Sequence, residues 1–254
     1  MLRYEIWHLQ KAPRAVKETS MDPHDSRVVS KNLEAYVASL IAESSFFSDL
    51  STGQVSPEGI RDVFGQYYLW RNQFHRWFGV CVARSAPFGN ALDVPRILGA
   101  LVTCLEQEVK EDHHGLALSF LAALGIDDPS RITALPVTSS YAESFLRCYS
   151  SGDRSGHDAI AALAGRELAV PGRNAIIVGA LPKHYGITSG LEFFDLHSSI
   201  EVEHFRVLWE ATALDHKADI GRLIEAARLE IWEHITFWDD VYRSVLDTKS
   251  ELLS

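Results

Sequence analysis

Apolar residues recur at three- and four-residue steps along most of this chain, and strict apolar–polar alternation is scarce. That period belongs to the α-helix, so the pattern predicts helices almost throughout. The plainest stripe is Val63, Tyr67, Trp70, Phe74, Trp77 and Cys81, which predicts one long aromatic helix with a core-facing side. SPEGI at 56–60 marks its start: Ser56 suits the N-cap, Pro57 the first helical position and Glu58 the first turn. A helix over about 31–47 precedes it. Pro87 and Gly89 break the pattern, and a second long helix is predicted from near Asp93 through LVTCLEQEVKEDHHGLALSFLAALGI. Gly115 is its weak point, at a cost of about 1 kcal/mol relative to Ala. GIDDPSRITALP reads as a loop. Further helices are expected over about 138–150, 157–169, 173–184, 190–213 and 216–249. Residues 1–28 are polar and irregular and read as an N-terminal arm. The expected architecture is a single all-α domain over 29–254, a bundle of seven or eight helices around one core.

Composition narrows the partners. The chain has 254 residues, 46% of them hydrophobic and 23% charged, which is ample for a buried core. A formal net charge of −10 argues against a nucleic-acid partner. No apolar run reaches the roughly 18–20 residues a membrane span requires, and the first residues lack a signal-peptide pattern. Cys81, Cys104 and Cys148 are odd in number and far apart, which argues against a disulfide framework or a CxxC site and for a reduced, cytoplasmic setting. The acidic surface and exposed helices are compatible with a homodimer.

Three segments carry candidate chemistry. In HSSIEVEH, residues 197–204, His197, Glu201 and His204 stand at i, i+4 and i+7 and fall on one helix face. Phe193, Phe194, Ile200 and Leu208 flank them, so that face points at least partly inward. A carboxylate buried among imidazoles needs a counter-charge, which a cation would supply. In LEQEVKEDHHGL, Glu106 and His113 are seven apart and would share a face on a continuous helix; Glu111 and His114, at i, i+3, form an alternative pair. Glu167 sits in the Ala- and Leu-rich AALAGRELAV, where it is a core-facing acid, a partner of Arg166 or part of a solvated turn. Together these offer three carboxylates and three imidazoles. Six nitrogen and oxygen ligands exceed what one zinc takes and suit iron or manganese.

These segments resemble the heme-oxygenase-like diiron oxidases and oxygenases, relatives of the TenA and PqqC proteins, over about residues 33–213. SPEGIRDVFGQYYLWRNQF looks like that family's entry helix. EQEVKEDHHGLALSFLAALGI looks like its Glu-x6-His helix, AALAGRELAV like the segment with its lone middle glutamate, and HYGITSGLEFFDLHSSIEVEHF like its final ligand helix. The resemblance implies the metal ligands Glu106, His113, Glu167, His197, Glu201 and His204. The family pattern in the last helix is HxxxDxxH, and here Glu201 stands at the middle position. The resemblance further implies two Fe(II) per chain and dioxygen as co-substrate. Members N-oxygenate amines or cleave C–C bonds in fatty acids and amino acids, often in natural-product biosynthesis. The branch that makes p-aminobenzoate from its own tyrosine carries a lysine after the middle glutamate; Ile177 stands in that neighbourhood here. The thiaminase branch needs a cysteine near the middle glutamate, and ALAGREL has none. A metal-independent TenA- or PqqC-like enzyme and a non-catalytic helical binding protein are the alternatives.

Tyr68, Arg71 and His75 lie at i, i+3 and i+7 beside the aromatic stripe and are candidates for a substrate-pocket wall, with Arg71 able to hold a carboxylate through two hydrogen bonds. Asp195 and His114 are candidates to orient ligand imidazoles. His234 reads as an ordinary residue of an amphipathic last helix.

Overall fold

The computed structural model describes residues 26–85, 94–213 and 218–252. Among them there is no strand, and ten α-helices follow one another: α1 Ser26–Glu43, α2 Ser45–Thr52, α3 Pro57–Arg71, α4 Phe74–Arg84, α5 Val94–Lys110, α6 His113–Ala123, α7 Pro136–Tyr149, α8 Gly156–Tyr185, α9 Glu192–Ala213 and α10 Ile220–Leu252. The all-α expectation holds. The described part of the expected arm is already helical, since α1 begins at Ser26. No helix among the described residues is long and apolar enough to cross a membrane.

The helix count departs from seven or eight because local chemistry cuts some predicted helices and joins others. Ser44 ends α1 and caps α2, its hydroxyl accepting from Phe47 N at 3.3 Å and donating to Asp239 at 2.8 Å. The aromatic stripe divides at Asn72 and Gln73, so Trp77 and Cys81 belong to α4. Conversely, α8 runs unbroken through Pro171 and Gly172, where the sequence suggested two helices. Tertiary packing overrides the break: the 30-residue helix is packed on several sides, which offsets the roughly 3 kcal/mol an interior proline costs. The expected start at Ser56 is present, its side chain accepting from Gly59 N at 3.0 Å.

Helix α8 is the central post, with α9 and α10 packed along it and α1, α2 and α4 against its other sides. The aromatic side of α3 lies on α10: Tyr67 stacks on Trp238 with centroids 4.7 Å apart, and Trp70 on Phe237 at 4.4 Å. Asn174 of α8 donates to the Phe194 carbonyl of α9 at 2.9 Å, which fixes the start of α9 against the post. The contact of α8 with α10 is close enough to demand glycine. A Cβ at Gly165 would lie 2.4 Å from the Ala227 carbonyl oxygen. Gly165→Ala is therefore expected to lose about 1–2 kcal/mol in urea unfolding, although alanine is the better helix former by about 1 kcal/mol. Unchanged or raised stability would mean that the two helices can part without cost.

Candidate metal centre

Three of the residues come from one face of α9. His197, Glu201 and His204 are all buried, at i, i+4 and i+7, with Phe194, Phe205 and Leu208 buried beside them. Glu167 reaches the same region from α8, and His113 from the first position of α6. Ligand-capable atoms gather into two triads, Glu108–His113–His197 and Glu167–Glu201–His204, each with its atoms within 4.8 Å of one another.

The structure thus brings five of the expected residues together and corrects the sixth. Glu106 is exposed and ion-paired with Lys110, while Glu108 points inward. The cause is the break between α5 and α6. Asp112 adopts the left-handed conformation (φ 50°) and caps α6, accepting from Gly115 N at 3.1 Å. A Cβ at Gly115 would lie 2.2 Å from the Asp112 carboxylate, so a larger residue there would displace this cap. The seven-residue spacing of Glu106 and His113 then no longer describes one helix face. The signal for Glu108 lay in the sequence: Ile97, Leu101 and Cys104 form the buried stripe of α5, and Glu108 is the next position on it.

Hydrogen bonds fix the imidazoles. The Phe193 carbonyl lies 2.6 Å from His197 Nδ1 and can only accept, so Nδ1 carries the proton and Nε2 presents a lone pair. Burial holds His197 below its usual range, and the ring is neutral. Its bare Nε2 faces Glu108 Oε1 at 3.7 Å and Glu201 Oε1 at 3.9 Å. His113 Nδ1 is fully buried and 3.0 Å from Glu108 Oε2, yet is not aligned to hydrogen-bond with it. Lone pairs converging on a common volume repel unless a cation lies between them, and with metal–ligand bonds of about 2.0–2.2 Å such spacings are those of atoms around one ion. The donor set fits iron.

The second triad is held by protons. His204 Nδ1 lies 2.8 Å from Glu201 Oε2 and 3.8 Å from Glu167 Oε2, and Nε2 lies 2.6 Å from Gln107 Oε1. Against burial, the two carboxylates push His204 up to about 10. Burial and the Glu167 charge raise Glu201 well above the carboxylate range; Glu167, despite its own burial, is lowered by hydrogen bonds from Glu201 and His204. Against its burial, Glu108 is also held low, with the Arg71 guanidinium 2.9 Å from Oε2.

The candidate pocket residues divide. Arg71 is buried and donates to Glu108 Oε2 at 2.9 Å. Tyr68 lines a small hollow beside it, with Phe64, Ala117 and Phe120. His75 is exposed, because the break after Arg71 ends the helical register that joined it to Tyr68. His114 and Asp195 are exposed as well, and the groups that orient imidazoles are Gln107 and the Phe193 carbonyl. Gln107 carried no periodic signal that singled it out. A narrow cavity adjoins both triads, lined by Glu108, Glu167, His197 and Glu201 together with Tyr67, Trp70, Arg71, Phe74, Trp77 and Phe193. The larger hollow of about 570 Å³, between α3, the 125–135 loop and α10, shares no residue with the triads.

A family of iron-containing redox enzymes matches residues 61–239. The chain belongs to that family. Solved structures agree on the fold: a domain of unknown function with a heme-oxygenase-like fold from Shewanella denitrificans superposes with a TM-score of 0.71 at 16% identity, covering 89% of this chain and 95% of its own. A TenA homolog from Pseudomonas syringae gives 0.67 at 13% identity, covering 90% and 100%. A TenA-like thiaminase candidate from Sulfolobus solfataricus gives 0.56 at 15%, covering 84% and 95%. No curated protein matches.

A cation that takes His204 must displace the proton this residue holds at neutral pH. Its metal-free value lies near 10, so affinity for a divalent cation is expected to rise with pH between about 6 and 9, up to tenfold per unit for each proton displaced. Calorimetric titrations in buffers of different ionisation enthalpy check the proton release. Affinity that is flat over this range would exclude protonated His204 from the site.

Proposed function

We propose that this protein is a non-heme diiron, dioxygen-dependent oxygenase or oxidase, acting on a small amine, amino-acid-derived or fatty-acid-like substrate by N-oxygenation or oxidative C–C cleavage. One observation carries the reading: the Glu201 carboxylate lies between the triads, Oε1 3.9 Å from His197 and Oε2 2.8 Å from His204. A carboxylate so placed could help to hold two cations. Glu108, His113 and His197 would hold the first, and Glu167 and His204 the second. Bound ferrous ions would supply the electrons that reduce dioxygen.

The chain's own residues do the rest. The Phe193 carbonyl keeps His197 in the tautomer that leaves Nε2 free, and Gln107 orients His204. Arg71 balances the charge of Glu108. Tyr67, Trp70, Trp77 and Phe193 wall the cavity and keep water scarce around the reacting groups. The TenA-like relatives favour a second reading, a metal-independent enzyme on the same fold. Against a thiol nucleophile, none of the three cysteines lines this cavity, and burial pushes Cys81, Cys104 and Cys148 up.

Anaerobic titration with ferrous ion is expected to saturate at about two ions per chain in the wild type and in Glu106→Gln. In Glu108→Gln and Glu201→Ala the affinity should fall tenfold or more. Oxygenated buffer added to the loaded protein should give a transient absorbance change. Absence of saturable iron binding in the wild type would sink the diiron reading in favour of the metal-independent one.

A further inference from the structure

Three arginines line the cavity beside the triads, and each lies against its aromatic wall. The Arg71 guanidinium carbon is 5.1 Å from the Phe74 ring centre and 5.2 Å from that of Phe193. Arg166 covers Trp77 at 3.8 Å and Trp70 at 5.0 Å. Arg173 covers Tyr67 at 4.9 Å and, behind it, Trp238 at 5.2 Å. Every phenol and indole ring among the lining side chains thus has a guanidinium against it. Two of these cations face a carboxylate, Arg71 that of Glu108 and Arg166 that of Glu230. Arg173 does not. Its Nε donates to His234 Nε2 at 2.8 Å, its Nη2 to the Tyr67 hydroxyl at 2.9 Å, and Nη1 has no partner. Burial and the two arginines of α8 keep His234 neutral. Arg173, 2% exposed, is therefore a buried charge whose hydrogen-bond partners are neutral. Aromatic faces offset only part of the cost of desolvating such a charge, and an apolar side chain would serve packing better.

The same rings lack proton acceptors. The indole N–H groups of Trp70, Trp77 and Trp238 are buried and unpartnered. The Tyr67 hydroxyl accepts from Arg173, and among the described residues no group accepts the proton it carries. Phenols away from the cavity are placed differently: Tyr242 donates to Asp49 at 3.0 Å and Tyr141 to Asp240 at 2.8 Å. The contrast bears on one-electron chemistry. A phenol or indole that loses an electron becomes a radical cation, and passing its proton to a base makes that loss easier. A fixed cation nearby repels the new charge, most strongly where water is scarce. Tyr67 and Trp238 have the repelling cation and no base.

We infer that Arg173 protects the wall from oxidation: its charge makes the loss of an electron from Tyr67 or Trp238 less favourable, so that an oxidant formed at the triads takes electrons from substrate instead. The inference deepens the proposed function and rests on it for the source of the oxidant, an iron centre that has reacted with dioxygen. The opposed step moves one electron from the ring to that centre. The ring is oxidised, the centre is reduced by one electron, no bond breaks and no proton leaves the ring. Tyr67 and Trp238 stack with centroids 4.7 Å apart, which would otherwise spread the positive charge over two rings and ease its formation. Arg173 lies against both members of that pair, where one cation opposes both. Arg166 acts more weakly on Trp70 and Trp77 because Glu230 faces it.

The test oxidises the full-length, chelator-treated protein with azide radicals from pulse radiolysis, which take single electrons from tyrosine and tryptophan. Electrons then redistribute within the protein, so stable products collect at the rings easiest to oxidise. Peptide mass spectrometry locates them, with Tyr242 as the internal reference. Relative to Tyr242, oxidation at Tyr67 and Trp238 is expected to rise about fivefold or more in Arg173→Gln. In Arg173→Lys, which keeps the charge and loses the planar fork, it should stay within about twofold of the wild type. Equal yields in wild type and Arg173→Gln would overturn the inference. So would an equal rise in both variants, which would mark a packing role. A second arm replaces the azide radical with ferrous ion, ascorbate and dioxygen. Ring oxidation there that ignores Arg173→Gln would overturn the inference and leave the diiron reading intact. A charge-dependent rise with azide radicals in a protein that takes up no iron would keep the effect of Arg173 and remove the diiron reading.

Discussion

The interior of this bundle has to accommodate carboxylates. Glu201 has almost no contact with solvent, Glu167 and Glu108 little more, and buried negative charge without compensation would cost more than a small domain's whole stability. The metal-free chain meets the requirement with protons on Glu201 and His204 and with Arg71 against Glu108. Each substitute for an external cation is local. Fold and site are therefore linked: the helices that make the core hydrophobic also close water out of the place where charge collects.

Helix α8 shows how packing transmits into chemistry. Gly165 lets α10 come against it, and that approach brings Arg166 to Glu230 and Arg173 to His234. On the neighbouring side Asn174 pins α9, which carries His197, Glu201 and His204. Glu167 lies between these two contacts, so its carboxylate is placed by both interfaces.

Much of this was legible from the residues. The all-α bundle followed from periodicity, and the α9 residues from their shared face and apolar flanks. Glu106 was misread because the spacing rule assumes an uninterrupted helix, and Asp112 interrupts it; the burial stripe of α5 pointed instead to Glu108. His75 failed for the same kind of reason, at Asn72 and Gln73. Arg173 and His234 were illegible as a pair, since each looks ordinary on its own helix and their meeting depends on how closely α8 and α10 pack.

The left-handed turn at Asp112 makes the two triads mechanically unequal. Glu167, Glu201 and His204 belong to two long helices packed on each other along much of their length. His113 opens an 11-residue helix whose exposed cap is a single aspartate. Fraying one turn of α6 would carry His113 out of the core while leaving the other three groups in register. One half of the centre is thus set wholly on two long helices, while the other takes one of its three groups from the first residue of a short one.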